Sequence, residues 1–157
     1  NPLAISSLIG CHWEIDTVHG RGSHHCIVTL LERKTGFVMI GKLPDKSTAS
    51  LNKKTLRLIG QDPLSFKTIT ADNGTEFHQY KKIEAHCRTK FYLANPYHSW
   101  ERGSNENVNG LIRQYLPKIE SMANLTQQRC NQIADKLNSR PRKRFNYKTP
   151  EEMYYGI

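Results

Sequence analysis

The chain has 157 residues, of which 37% are hydrophobic and 24% charged, and 23 Lys and Arg against 14 Asp and Glu leave a formal net charge of +9. That size suits one domain with a substantial core, and the composition excludes a disordered chain, while no apolar run approaches the roughly 18 residues a membrane span needs. The basic excess favours a polyanionic partner through counterion release, with nucleic acid the first candidate. The chain begins at Asn1, and residues 1–10 lack the basic start and apolar stretch of a signal peptide. An excised, cytoplasmic, nucleoid-associated fragment is therefore expected. Cys11, Cys26, Cys87 and Cys130 form no C-x-x-C pair, so reduced structural thiols are expected rather than a zinc ribbon or a disulfide framework. His24, His25 and Cys26 are adjacent, but neighbours on a strand point to opposite faces and make poor ligands for one metal.

In chain order, WEIDTV from Trp13 to Val18 has strand composition, HGRGS supplies a turn, and CIVTLLE from Cys26 to Glu32 is a second strand. A turn at Arg33 to Gly36 leads into FVMIGKL, closed by Pro44, which predicts a three-stranded antiparallel meander. Between Ser47 and Gly60, Thr48, Leu51, Thr55, Leu58 and Ile59 recur at helical spacing, and Gly60 is the stop. FKTITA from Phe66 to Ala71 predicts a buried fourth strand ending at Asp72-Asn73-Gly74. A helix is expected from about Thr75 to Cys87, a fifth strand at KFYLA, and a loop NPYHSWERGS after it. Ser104 reads as the N-cap of a helix with Val108, Leu111, Ile112, Tyr115 and Leu116 on its apolar stripe, ended by Pro117. A second amphipathic segment carries Cys130, Ile133, Ala134 and Leu137. Thr149-Pro150-Glu151-Glu152 then reads as a capping box with proline at N1.

Three carboxylates fall where this order presents them to a common site. Asp16 lies inside the first strand, with Ile15 and Thr17 facing the other way; Asp72 closes the fourth strand; Glu106 is in the first turn of the helix opened by Ser104, opposite its apolar stripe. Taken singly, each is equally well a cap, a turn residue or a solvated charge. Taken together they suit phosphodiester chemistry, in which two hard cations about 4 Å apart, held by carboxylate oxygens, stabilise attacking and leaving oxygens.

The strings around these acids, HWEIDTV, TADNGTEF and PYHSWERGSNENVNGLIRQYLPK, resemble the three DDE motifs of bacterial transposases of the insertion sequence thirty family. NSRPRKRFNYKTPEE resembles the C-terminal end of that family. The resemblance runs from about Cys11 to the last residues. It implies a ribonuclease H-like α/β fold of the retroviral integrase superfamily, with a five-stranded mixed sheet flanked by helices. It further implies two Mg²⁺ or Mn²⁺ ions, with Asp16 bridging them and Asp72 and Glu106 each completing one side, and DNA strand cleavage followed by strand transfer. The 34 positions from Asp72 to Glu106 suit the superfamily. Residues 1–157 are thus expected to form one integrase or transposase catalytic core, lacking the helix-turn-helix region of a whole transposase and acting on transposon ends and target DNA as a homodimer or higher homo-oligomer.

Helical geometry places Asn109, Gly110 and Arg113 on the face of Glu106, where Asn109 and Arg113 suit a phosphate backbone and Gly110 allows its approach. Tyr97, Trp100 and Arg102 form an aromatic and basic loop suited to stacking on bases, and Asn73 adjoins the second acid. Arg140, Arg142, Lys143 and Arg144 make a basic stretch for phosphates. Two other functions fit the same residues: a ribonuclease H-like nuclease that only hydrolyses, and an inactive DNA-binding remnant of a transposase.

Overall fold

The computed structural model describes residues 11–22, 24–72, 74–94 and 103–157, with backbone alone for 103–106. Five strands form one sheet: β1 (His12–His19), β2 (Cys26–Glu32), β3 (Val38–Leu43), β4 (Thr68–Ala71) and β5 (Lys90–Leu93). Their spatial order is β3-β2-β1-β4-β5. The meander expected from the sequence is present, β1 to β2 and β2 to β3 both antiparallel, whereas β4 and β5 add on the other side of β1 in parallel. The sheet is therefore mixed, and β1 is its middle strand.

All seven residues of β2 are buried, which is why its sequence reads as a continuous apolar run: both faces of the sheet are covered. On one face Trp13, Ile15, Val28, Leu30 and Met39 pack with Leu51, Leu58 and Ile59 of helix α1 (Thr48–Ile59), Ile83 of α2 (Tyr80–Glu84) and Tyr154 of α5 (Pro150–Tyr155). Trp13 anchors this side. Its ring stacks on Phe66 at 4.2 Å between centroids and its indole N–H donates to the Ser65 carbonyl at 2.7 Å. On the other face Val18, Ile27, Leu31, Val38 and Ile40 meet Val108 and Ile112 of α3 (Gly103–Ile112) and Cys130, Ile133, Ala134 and Leu137 of α4 (Gln127–Asn138). Period two along the strands and period 3.6 along the helices thus sort the same apolar residues into two cores separated by one sheet.

Several local signals are realised as read. Ser47 caps α1 by accepting from the Ser50 amide, and Gly60 closes it. Thr149 and Glu152 form the reciprocal capping box of α5, with bonds of 3.0 and 3.1 Å and Pro150 in the first turn. Among the described residues no cysteine is in a disulfide. Two helices depart from expectation. The segment expected to be helical from Thr75 to Cys87 breaks into a 3-10 turn at Thr75–Phe77 and the short α2. The break at Gln79 is held by tertiary contact, since the Asn52 side chain donates to the Gln79 carbonyl. Helix α3 begins at Gly103, so Ser104 lies within its first turn, and it ends at Ile112 rather than at Pro117. Past Ile112 the amides of Gln114 and Tyr115 tighten onto Leu111 and Ile112, three residues back, while the Arg113 guanidinium binds the Leu116 and His19 carbonyls. That side-chain tether competes with a further regular turn.

The outer edge of β3 is closed by two residues at the ends of α4, Gln127, which accepts from Lys42 N and donates to Ile40 O, and Asn138. Asn138 is buried, its amide oxygen accepts from Val38 N and its amide nitrogen donates to Val38 O, both at 2.9 Å. Asn138→Ala should therefore leave a buried donor and a buried acceptor unmet and lower stability by about 2–4 kcal/mol. Urea denaturation followed by circular dichroism measures this, and a loss well below 1 kcal/mol would contradict it.

Candidate active site

The first acid owes its place to the central strand. Asp16 is half-buried in β1, on the same strand face as Glu14 and Val18, and therefore points toward the side covered by α3 and α4. Its Oδ1 accepts from the Thr17 amide at 2.9 Å and its Oδ2 from the Asn109 side-chain amide at 3.0 Å. The second acid owes its place to sheet register. β1 and β4 run parallel with His12, Trp13 and Glu14 beside Thr68, Ile69 and Thr70. Continued two residues past its last pair, that register would bring Asp72 level with Asp16. Asp72 directly follows the last residue of β4, is exposed, and accepts from the Gly74 amide at 3.0 Å.

Helix α3 brings up the third element. Asn109 is bonded to Asp16, and position 106 lies one turn earlier on the same helical face. The side chain of Glu106 lies outside the described residues. Among the described residues no group of three or more His, Cys, Asp or Glu side chains is arranged to hold a metal ion. Asn73, Tyr97, Trp100 and Arg102 also lie outside the described residues.

The donor set suits a hard cation. Two carboxylates from adjacent parallel strands supply the oxygens such an ion prefers, and the Asn109 Oδ1 beside them is buried with no hydrogen-bond partner. A buried acceptor left this way costs about 1–3 kcal/mol, so a cation or an ordered donor near it would recover that loss. A Cβ at Gly74 would come within 2.7 Å of Glu76 Oε2 and 2.9 Å of Asp72 Oδ1. A side chain at position 74 would thus push the Asp72 and Glu76 carboxylates off this turn.

Three charged groups in this region carried no assignment from the sequence. Glu76 is one-tenth exposed, accepts from the Thr17 hydroxyl at 3.3 Å and pairs with Lys46 at 3.6 Å. Its signal was its place inside TADNGTEF, four residues after Asp72. Lys46 comes from the loop before α1 and had no local signal. Glu14 is fully buried two residues before Asp16 on the same strand face, a relation that period two alone could have revealed. At the end of β1, burial followed by the nearby charges of Lys46 and Arg113 holds the His19 imidazole below its ordinary pKa, against the opposing pull of Glu76 and Asp16.

The predicted DNA-contact residues separate into two places. Asn109 and Arg113 line an open cleft of about 550 Å³ together with Arg21 and Lys118. A Cβ at Gly110 would meet nothing within 4 Å, so that flank of α3 is clear. Arg140 instead packs over the Tyr115 ring and bonds to the Gln114 side chain and the Tyr115 hydroxyl. Arg142, Lys143 and Arg144 lie along a second cavity on the far side of α3.

A mixed sheet of this order, with an aspartate on the middle strand beside another at the end of its parallel neighbour, defines a ribonuclease H-like domain. Among solved structures the chain is similar to the catalytic core domain of BIV integrase, with a TM-score of 0.71, 19% identity, and coverage of 94% of this chain and 95% of that one. It is also similar to a chain of the simian T-cell lymphotropic virus intasome, with a TM-score of 0.72, 14% identity, and coverage of 92% of this chain and 54% of that one. No family model matches the chain. In sequence it is 44% identical over 144 residues to the transposase for insertion sequence element IS4351 of Bacteroides fragilis, which covers 92% of this chain and 44% of that protein. It is 38% identical over 143 residues to the transposase InsI for insertion sequence element IS30A of Escherichia coli (strain K12), covering 90% of this chain and 37% of that protein. A transposase for insertion sequence element IS1086 of Cupriavidus metallidurans is 37% identical over 153 residues, covering 95% of this chain and 44% of that protein. These relatives are transposases of insertion sequence elements, 37–44% identical to this chain over most of its length, and the chain spans less than half of each of them.

Proposed function

We propose that this chain is the catalytic core of a DNA transposase that cleaves element ends and joins the freed 3′-hydroxyl to target DNA. The observation that carries this reading is that Asn109, on a helix face that also carries position 106, holds the Asp16 carboxylate on the middle strand, while Asp72 directly follows β4, the strand parallel to it. Asp16 and Asp72, with Glu106, would hold two divalent cations of the Mg²⁺ or Mn²⁺ kind. When bound, these supply activation of the attacking oxygen and stabilisation of the leaving oxygen. Asn109 fixes the Asp16 carboxylate by donating to Oδ2, so that its lone pairs point into the site before any ligand arrives. The Gly74 amide fixes Asp72 in the same way. Glu76, whose Oε1 accepts from the Thr17 hydroxyl and pairs with Lys46, is given no ligand role in this reading.

The basic excess of the chain and the cationic cleft beside Asn109 suit a duplex backbone at this site. Cutting and joining two element ends calls for at least two copies of the core, acting on DNA in a bacterial cytoplasm. The test is a labelled duplex carrying an element end, incubated with the protein, Mg²⁺ and target DNA. Joined products are expected. Cleaved fragments without joined products would favour the hydrolytic nuclease, and no metal-dependent cleavage by folded protein would favour the inactive remnant.

Asn109→Ala provides a narrower check. It removes the donor to Asp16 but none of the three carboxylates, so strand cleavage should fall about 10- to 100-fold and recover in part at raised Mg²⁺. Loss that no concentration of Mg²⁺ relieves would argue against a positioning role.

A further inference from the structure

The cavity on the flank of α3 away from Asp16 is built differently from the catalytic cleft. It measures about 170 Å³, and its wall joins the turn after β2 to the segment Lys143–Phe145, with Arg33, Arg142, Lys143 and Arg144 around it and Asn107 of α3 at its rim. The geometry of this wall is specified rather than incidental. Gly36 stands at φ +74 with its Cα so close to Arg144 that a Cβ would lie 3.0 Å from the guanidinium. Asn146 and Tyr147 both adopt positive φ to fold the basic stretch back toward the sheet. Arg144 is laid over the Phe145 ring at 4.4 Å, and Arg142 is tied to the Leu137 carbonyl.

The one carboxylate in the wall, Glu32, is turned away: its oxygens accept from the Lys34 and Thr35 amides and the Thr35 hydroxyl. Among the described residues Arg142, Lys143 and Arg144 form no ion pair. Burial, with the like charges of Arg140 and Arg144, lowers the Arg142 pKa. A fold that gathers three consecutive cations around a cavity and leaves their charge unanswered is set up for an external anion.

Its place beside the strand pair that carries Asp16 points to the anion. Glu32 is the β2 partner of Trp13, and Asp16 stands three residues further along β1. That is about 10 Å of strand, so the cavity and Asp16 lie along the same pair of strands. We infer that the Arg142–Lys143–Arg144 cavity is a seat for a backbone phosphate of the DNA that the site acts on. It rests on the reading of the chain as a DNA-processing core.

The test compares two double variants that remove the same charge. Lys143→Gln with Arg144→Gln empties the seat at exposed positions, whereas Lys53→Gln with Arg57→Gln removes two exposed cations from α1, under the opposite face of the sheet. Binding of a short fluorescent duplex without metal is followed by anisotropy across a salt series, with melting by circular dichroism to confirm that each variant is folded. The first pair should lose about three- to tenfold in affinity, flatten the salt slope by about one to two, and melt no lower than wild type. The second should stay within about twofold of wild type. Equal losses in the two pairs, or no loss in the first, would overturn the phosphate seat while leaving the catalytic reading intact. Wild-type protein that fails to bind duplex DNA at all would instead remove the reading on which the seat rests.

Discussion

Asp16→Asn and Asp72→Asn should each reduce Mg²⁺-dependent strand cleavage at least about a hundredfold while leaving the fold in place. Either change removes one unit of negative charge at nearly constant shape, so the packing around β1 and β4 is unaltered. What is lost is the hard anionic oxygen a divalent cation requires. The surroundings predict a difference in stability between the two. Asp16 is half-buried and accepts from Asn109 at Oδ2; Asp16→Asn presents either an oxygen or a second amide nitrogen to that donor, and the structure would adjust around it. Asp72 is exposed at the strand end, so Asp72→Asn should leave melting within about 1 kcal/mol of wild type. Cleavage near wild-type levels in either folded variant would mean that the metal site is elsewhere.

The third acid has two candidates five residues apart, and the expected results for them are opposite. Glu106→Gln should abolish cleavage and strand transfer, and Glu101→Gln should retain substantial activity. Position 106 belongs to α3, whose Val108 and Ile112 are packed into the core and whose Asn109 is bonded to Asp16. A ligand on that face is carried by a rigid element already registered against the first acid. Glu101 precedes the helix and lies outside the described residues. Both variants are to be compared on one DNA substrate with Mg²⁺. An inactive Glu101→Gln beside an active Glu106→Gln would transfer the role to residue 101.

The elements that local chemistry specifies were readable before any coordinates. CIVTLLE is a strand with the bounds its composition suggests, because a strand buried on both faces has no polar alternation to obscure it. Ser47, Gly60 and the Thr149–Glu152 box end their helices where they should, because a cap is a contact between residues three or four apart. Asp16 and Asp72 were legible as candidates through the motif strings around them. Tertiary structure alone decided what depends on distant segments. The parallel addition of β4 beside β1, which puts Asp72 just past the end of the strand next to that of Asp16, joins stretches more than fifty residues apart and has no local signature. The break at Gln79 and the early end of α3 at Ile112 follow from Asn52 and from the Arg113 tether to His19, each overriding a helical pattern that was locally sound. Lys46 reaches Glu76, and Arg144 reaches Gly36, between segments that no local pattern joins. In a chain this short the identity of each strand and cap is a matter of a few neighbouring residues, whereas the charges that face one another across a site are chosen by sheet order and helix packing, which only the assembled core determines.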